Sequence, residues 1–210
     1  MSLKERLKFD KDPIYLIDGT ALLYRAFYAR ADLSRSDGFP TNAINTVMRV
    51  LMNLLKDENP SHVGFLMDGK GPTFRNALYD QYKANRPSMP EPLVDQVEPV
   101  RRGVELLGVK LLISEGVEAD DCICSLAGLY KADRPVIILA SDKDIKQCLD
   151  NQVVMVSQMG RKETIHTLDS FREAENMEPV TWPDFQAVIG DSADNIPGIP
   201  GVGPVTARKL

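Results

Sequence analysis

The sequence predicts an α/β fold built on a parallel sheet, and three observations carry that prediction. Ile14–Ile17, Val63–Met67 and Val136–Ala140 are continuous rather than alternating apolar runs, the pattern of strands covered on both faces. The stretches between them space their hydrophobic residues at helical intervals. Each run also closes on an aspartate, Asp18, Asp68 and Asp142 in turn. In open parallel sheets a ligand binds beyond the carboxyl ends of the strands, so these three carboxylates are expected to converge there. With 210 residues against roughly 150 per domain, one domain with a small appendage is expected.

Taken in order, Pro13 opens the first strand, which runs into a turn at Asp18-Gly19. Thr41–Lys56 carries Ile44, Val47, Met48, Leu51 and Leu55 on one helical face. The second strand ends at Asp68-Gly69. Gly69–Pro92 is dense in Pro, Gly, Arg and Lys, and reads as a helix and loop standing off the body. Val94–Leu107 is a helix with Val97, Val100, Val104 and Leu107 inward. Glu118–Lys131 is another, with Ile123, Leu126, Ala127 and Tyr130 inward and Asp120 and Asp121 in its first turn. The helix dipole favours acids there, although capping accounts for one of them more readily than for both. Trp182 reads as a core or helix-start anchor. The tail, Gly190–Leu210, holds a glycine hairpin that begins a helix.

Composition excludes several classes. Hydrophobic residues make up 43%, charged residues 26% and aromatics 7%, a globular balance that argues against disorder and low-complexity chains. No apolar run reaches about 18 residues, and Met1–Asp10 is too charged for a signal peptide, so a soluble cytoplasmic protein is expected. Cys122, Cys124 and Cys148 are expected to be reduced packing residues. Cys122 and Cys124 point to different sides of a helix, and His62 and His166 lie away from the acids, so no zinc pattern emerges.

The net charge is −5, but setting aside Asp18, Asp68, Asp120, Asp121, Asp142, Asp144, Asp191 and Asp194 leaves +3. Like charges gathered in one cleft repel unless a cation sits among them. An all-oxygen donor set suits Mg²⁺ or Mn²⁺. Two such ions, about 4 Å apart, activate water and steady the leaving oxygen of a phosphodiester. Singly, Asp18 or Asp68 reads as a turn former and Asp142 or Asp144 as a helix cap. Jointly they point to a metal centre. A haloacid-dehalogenase-type phosphatase would need a second aspartate where Asp18-Gly19-Thr20 has threonine.

A series of motifs narrows the reading. Leu16-Ile-Asp-Gly19, Tyr24-Arg-Ala-Phe27, Phe65-Leu-Met-Asp68, Thr73-Phe-Arg75, Tyr82-Lys-Ala-Asn-Arg-Pro87, Glu118-Ala-Asp-Asp121, Ser141-Asp-Lys-Asp144 and Gly190-Asp-Ser-Ala-Asp-Asn-Ile-Pro-Gly198 follow one another in this order. From about Pro13 onward the chain resembles the 5′-nuclease domain of bacterial DNA polymerase I, within the flap endonuclease family. The resemblance implies a PIN-like parallel-sheet core over 1–189 with a helical gateway at about 70–92. It implies a Mg²⁺- or Mn²⁺-dependent enzyme, with two or more ions, that removes 5′ flaps and RNA primers at DNA junctions and nicks. Asp18, Asp68, Glu118, Asp120 and Asp121 match the acids around a first metal, and Asp142, Asp144, Asp191 and Asp194 those around a second. Lys83, Arg86 and Arg25 match basic residues that offset charge on the scissile or terminal phosphate. Arg75 and Tyr82 fall at DNA-binding positions, with Tyr82 stacking on a terminal base and sharing a helix face with Arg86, four residues on.

Residues 190–210 resemble the start of a helix-3-turn-helix element of the helix-hairpin-helix type. There Gly198, Gly201 and Gly203 would let backbone N–H groups approach phosphates, with K⁺ as a candidate ion in the hairpin. Its second helix has barely begun at Thr206–Leu210, so the element reads as truncated, and a fused downstream polymerase domain is a candidate partner. Two rivals remain at this stage: a PIN-type ribonuclease, and a junction-binding module without catalysis.

Overall fold

The computed structural model describes residues 1–29, 33–157 and 163–210. A short helix α1 (Leu3–Arg6) precedes β1 (Ile14–Asp18), α2 (Gly19–Ala29), α3 (Asn42–Glu58) and β2 (His62–Asp68). Next come α4 (Phe74–Leu78), α5 (Glu91–Leu106), β3 (Lys110–Ser114), α6 (Ala119–Tyr130) and β4 (Val136–Leu139). A 3₁₀ turn over Lys143–Cys148 leads to β5 (Val153–Ser157), β6 (Thr164–His166) and α7 (Leu168–Glu175). A second 3₁₀ turn, Pro179–Thr181, precedes α8 (Trp182–Ile189), and the described chain ends with β7 (Gly190–Asp191), β8 (Ile196–Pro197) and α9 (Pro204–Ala207).

Strands β1 to β6 form one sheet in the order β3-β2-β1-β4-β5-β6. All neighbours are parallel except the antiparallel pair β5 and β6. The sheet thus has the parallel α/β character expected from the apolar runs. It also contains three strands the sequence reading left out: β3, β5 and the three-residue β6. The strand order reverses direction between β1 and β4, and a crevice opens at the carboxyl ends of strands at such a point.

Alternate residues of a strand face opposite sides of the sheet, and here each side has its own core. Tyr15, Ile17, Ile137, Leu139 and Val154 pack with Leu23 of α2, Val47, Leu51 and Leu54 of α3, and Val100 and Val104 of α5. Leu16, Leu66, Ile138 and Met155 pack on the other side with Ile123 and Ala127 of α6, Phe171 of α7, and Trp182 and Phe185 of α8. Continuous burial explains why β1 and β4 carry no polar alternation. Trp182 opens α8 and is buried, as the sequence reading expects. Its ring stands edge-on to Phe171 and stacks on Phe185.

Two details fix the helices that frame the crevice. Gln96 of α5 is fully buried; its Oε1 accepts the N–H groups of Ala43 at 2.9 Å and Ile44 at 3.2 Å. A neighbouring helix therefore satisfies donors in the first turn of α3 that have no intrahelical partner. Gly19 starts α2 directly at the end of β1, so close to β2 that a Cβ there would lie 2.2 Å from the Phe65 ring. Only glycine lets the chain turn into a helix so near the strand end.

The cysteines depart from expectation. Cys124 of α6 and Cys148 at the end of the first 3₁₀ turn form a disulfide, with Cα atoms 5.7 Å apart, and Cys122 is the free thiol. Three reduced packing thiols are expected from an odd cysteine count, whereas Cys124 finds its partner on another element, 24 residues on.

Candidate metal centre

Register brings the strand-end acids together. Asp18 ends β1 opposite Leu66 of β2, and Asp68 ends β2 opposite Ser114 of β3. Ile17 pairs with Leu139, after which β4 delivers Ser141 and Asp142 to the same edge. The first turn of α6 adds Asp120 and Asp121 beside its N-cap residue Glu118, and the first 3₁₀ turn adds Asp144. The β7–β8 hairpin, together with the turn between its strands, contributes Asp191 and Asp194.

Among the described residues, two groups of acids are close enough to share an ion. Glu118, Asp120 and Asp121 form one; Asp144, Asp191 and Asp194 form the other, and within each group the ligating oxygens lie within 4.8 Å of one another. Asp18, Asp68 and Asp142 stand outside both groups, although the sequence reading divided them between the two. Asp68 accepts the Ala119 N–H at 2.8 Å, and Asp142 accepts the Asp144 N–H at 2.9 Å. Both thus help hold the elements that carry the grouped acids.

The electrostatics divide the acids differently. Asp18 is only 6% exposed. Desolvation, assisted by the charges of Asp68, Asp142 and Asp120, pushes its pKa up to about 7, although an N–H from Ala21 opposes the shift. Burial also raises Asp120, to about 6, with Glu118 and Asp121 adding repulsion. Asp144 is likewise raised by burial. Asp121 is held below the usual range, first by hydrogen bonds from Arg75. Asp191 is also held low, because Lys143 and the Ala193 N–H outweigh its desolvation.

The cations come chiefly from the segment after Asp68. Arg75 meets Asp121 bidentately, with both N–O distances 2.7 Å, and reaches Glu118 at 3.3 Å. Lys83 pairs with Glu118 and Arg86 with Asp194. Lys143, lying between two acids in sequence, bridges to Asp191 at 3.0 Å. Arg25 stands apart: one of its N–H groups donates to Ser141 Oγ at 3.1 Å, and burial lowers its pKa while Asp18 raises it.

Tyr82 corrects the sequence reading. Its ring is 6% exposed, and its hydroxyl donates to Glu118 Oε2 at 2.7 Å, with Asp194 Oδ2 at 3.2 Å. A ring so enclosed offers no face for a base. Nor do Tyr82 and Arg86 share a helix face, because α4 stops at Leu78 and the following residues form turns. Lys83 itself has φ +54 and donates its N–H to the Asp194 carbonyl at 2.9 Å. The segment does not stand off the body. Asn85 and Asn195 tie it to the 192–195 turn through the Ser192 and Gln81 carbonyls, at 2.9 and 2.8 Å. Four-residue spacing was read as helical where the chain instead wraps the acids.

In the tail, Gly198 is explained by packing, since a Cβ there would meet the Ile189 carbonyl oxygen at 2.3 Å. Gly190, with φ +75, would place a Cβ 2.3 Å from the Gly198 nitrogen. Gly201 also has positive φ, and Gly203 caps α9, both with open space above them. Sequence reasoning missed Gln186, which donates to Asp144 from α8, and Ser141. A lone glutamine carries no signal, but Ser141 lay inside a quoted motif.

The 5′-3′ exonuclease N-terminal, resolvase-like domain model matches residues 13–178. The chain belongs to this 5′-3′ exonuclease family. Family relatives include DNA polymerase I of Pseudomonas aeruginosa, 46% identical over 199 residues, which cover 94% of this chain and 22% of that protein. A 5′-3′ exonuclease of Aquifex aeolicus is 38% identical, covering 94% of this chain and 68% of the relative. The chain thus spans about a fifth of the polymerase it matches. In fold it is similar to the bacteriophage T5 flap endonuclease solved with DNA and metal ions, at TM-score 0.75 and 24% identity over 94% of this chain and 73% of that one. Among the described residues no helix is long and apolar enough to cross a membrane.

Proposed function

We propose that this chain is a divalent-metal-dependent 5′-3′ exonuclease and flap endonuclease that hydrolyses phosphodiesters near 5′ ends of DNA, including flaps, nicks and RNA-DNA primer junctions. The observation that carries the reading is the gathering of two carboxylate groups at the sheet's switch point, under a basic segment, in a chain of the 5′-3′ exonuclease family. The relatives named polymerase I support a fused polymerase as partner in the whole protein.

The donor chemistry fits Mg²⁺ or Mn²⁺: the sets are all carboxylate, and buried Asp18 and half-buried Asp120 need more positive charge than the chain supplies. Glu118, Asp120 and Asp121 would hold one ion and Asp144, Asp191 and Asp194 another, with Asp18, Asp68 and Asp142 completing the shells from the strand ends. When bound, such ions activate water and offset charge on the leaving oxygen. The chain's residues do the rest. Lys83 and Arg86, drawn from Glu118 and Asp194, would meet the scissile phosphate, where their charge counts most as negative charge builds. Arg25, braced by Ser141, would hold the neighbouring phosphate, and Arg75 would keep Asp121 ionised and oriented.

Residues 1–189 act as the nuclease core, with a PIN-like sheet and the basic segment around 70–92 as gateway. Residues 190–210 begin a duplex contact in which Gly201 and Gly203 leave backbone N–H groups open to phosphate, with K⁺ a fitting ion for the hairpin. The test is a 5′-flap DNA incubated with Mg²⁺, with and without chelator. Release of the flap that stops with chelator supports the reading. Binding without cleavage would favour a junction-binding module, and preference for single-stranded RNA a PIN-type ribonuclease.

A further inference from the structure

The disulfide lies under the centre rather than at the chain's periphery. Cys124 sits one turn after Asp120 on α6, and Cys148 follows Asp144 by four residues at the end of the first 3₁₀ turn. Cys124 also lines the cleft that holds Asp120, Asp144 and Asp191. One covalent bond therefore joins the element bearing the first acid group to the element bearing Asp144 of the second. The 3₁₀ turn is also held by buried Ile145, which lies in the same core as Ile123 and Ala127 of α6, by the Trp182 indole N–H donating to the Lys143 carbonyl at 3.0 Å, by Gln186 on Asp144, and by the Lys143–Asp191 and Lys146–Glu175 ion pairs at 3.0 and 3.2 Å. Most of the polar contacts run to α7, α8 and the β7–β8 hairpin, so the bond adds a covalent tie where the turn otherwise only packs on α6.

We propose that Cys124 and Cys148 form a reversible redox site that sets the divalent-ion affinity of the centre. This rests on reading the two acid groups as ion sites. The reaction is thiol–disulfide exchange with a low-molecular-weight disulfide of the glutathione class. One cysteine thiolate attacks the oxidant's sulfur and expels a thiolate, forming a mixed disulfide. The second cysteine thiolate then attacks that mixed disulfide at the protein sulfur and expels the second small thiolate. The two cysteines lose two protons and two electrons, and the oxidant becomes two thiols. Linked, α6 and the 3₁₀ turn present the first acid group and Asp144 of the second in one geometry; reduced, ordering them becomes part of the cost of binding ions.

The test uses the whole chain with Cys122→Ser, so that only the pair reacts. It is prepared oxidised with oxidised glutathione and, separately, reduced with a phosphine that is then removed. Thiols are counted, and melting temperature and Mn²⁺ affinity are measured for both forms. The oxidised form is expected to lose both thiols, melt about 5–15 °C higher and bind Mn²⁺ about tenfold more tightly. A Cys124→Ser, Cys148→Ser variant should reproduce the reduced form. Two thiols persisting after oxidation would overturn the site. Equal Mn²⁺ affinities with both thiols consumed would overturn the coupling alone, whereas no Mn²⁺ binding in either form would overturn the ion-site reading and the coupling with it.

Discussion

Asp18 and Asp121 belong to the same crowd of carboxylates, yet the fold treats them in opposite ways. Asp18 is driven towards neutrality by burial and by acidic neighbours, while Asp121 is held ionised by a bidentate guanidinium. The same contrast separates the floor of the crevice, Asp18 and Asp120, from its wall, Glu118, Asp121, Asp191 and Asp194, which Arg75, Lys83, Arg86 and Lys143 face. The wall carries its own counter-ions and the floor does not. A cation from solution therefore gains most at the floor, and the basic residues of the wall can be spared for a phosphate once one is present.

Four measurements would break or sharpen that contrast. The largest effect is expected from Asp120→Asn, which should lower flap cleavage by about 10³-fold or more while raising the melting temperature of the metal-free chain at pH 8, because a half-buried charge repelled by Glu118 and Asp121 is removed. Asp121→Asn should instead lower that temperature, since Arg75 loses its bidentate partner and keeps only the longer contact to Glu118. If both variants shift the same way, floor and wall are not distinct. Next, Lys83→Ala should slow single-turnover cleavage about 10²-fold with only a few-fold loss in DNA binding, as expected for a charge that acts on the transition state; a loss confined to binding would make it a backbone contact.

Smaller effects follow from the ions and protons themselves. Mn²⁺ at about a hundredfold its dissociation constant should stabilise the chain by about 2.7 kcal/mol, some 5–10 °C by thermal shift; no shift at millimolar Mn²⁺ would remove the ions from the floor. Asp18 and Asp120 have folded pKa values of about 7 and about 6, above their ordinary 3.8. The folded state thus holds their protons more tightly than the unfolded chain does, and the stability this gives is present below pH 4 and lost as pH rises through 6 to 7. The metal-free melting temperature should accordingly fall by several degrees between pH 5 and pH 8, and saturating Mn²⁺ should flatten the decline. A metal-free profile that rises over that interval would contradict the assignment of these two acids.

The sheet was legible because burial on both faces leaves a one-dimensional trace: β1, β2 and β4 carry continuous apolar runs, with an aspartate ending β1 and β2 and another three residues beyond β4. β3 escaped notice because it lies at the sheet edge and is half exposed, and β6 because three residues leave too short a pattern. The acids were legible as residues but not as groups, since which oxygens fall within reach depends on how α6, the 3₁₀ turn and the β7–β8 hairpin meet. Tyr82 was the hardest to read. An aromatic beside Lys83 and Arg86 has the composition of a nucleic-acid contact, and only the wrap of the 79–86 turns around Glu118 turns its hydroxyl inward. The Cys124–Cys148 pair was invisible for a related reason: its halves are 24 residues apart and meet only after α6 and the 3₁₀ turn have docked.

The approach of Gly190 to Gly198 sets a tolerance on the whole arrangement. The two backbones cross with no room for a methyl group, one residue before Asp191, in a region that contributes little hydrophobic burial. A substitution at either position would therefore leave the two cores standing while moving Asp191 and Asp194 out of reach of Asp144. In a random-mutagenesis screen for inactive variants that still accumulate as folded protein, positions 190 and 198 should recur beside the acids themselves, although neither glycine has a side chain to offer the chemistry.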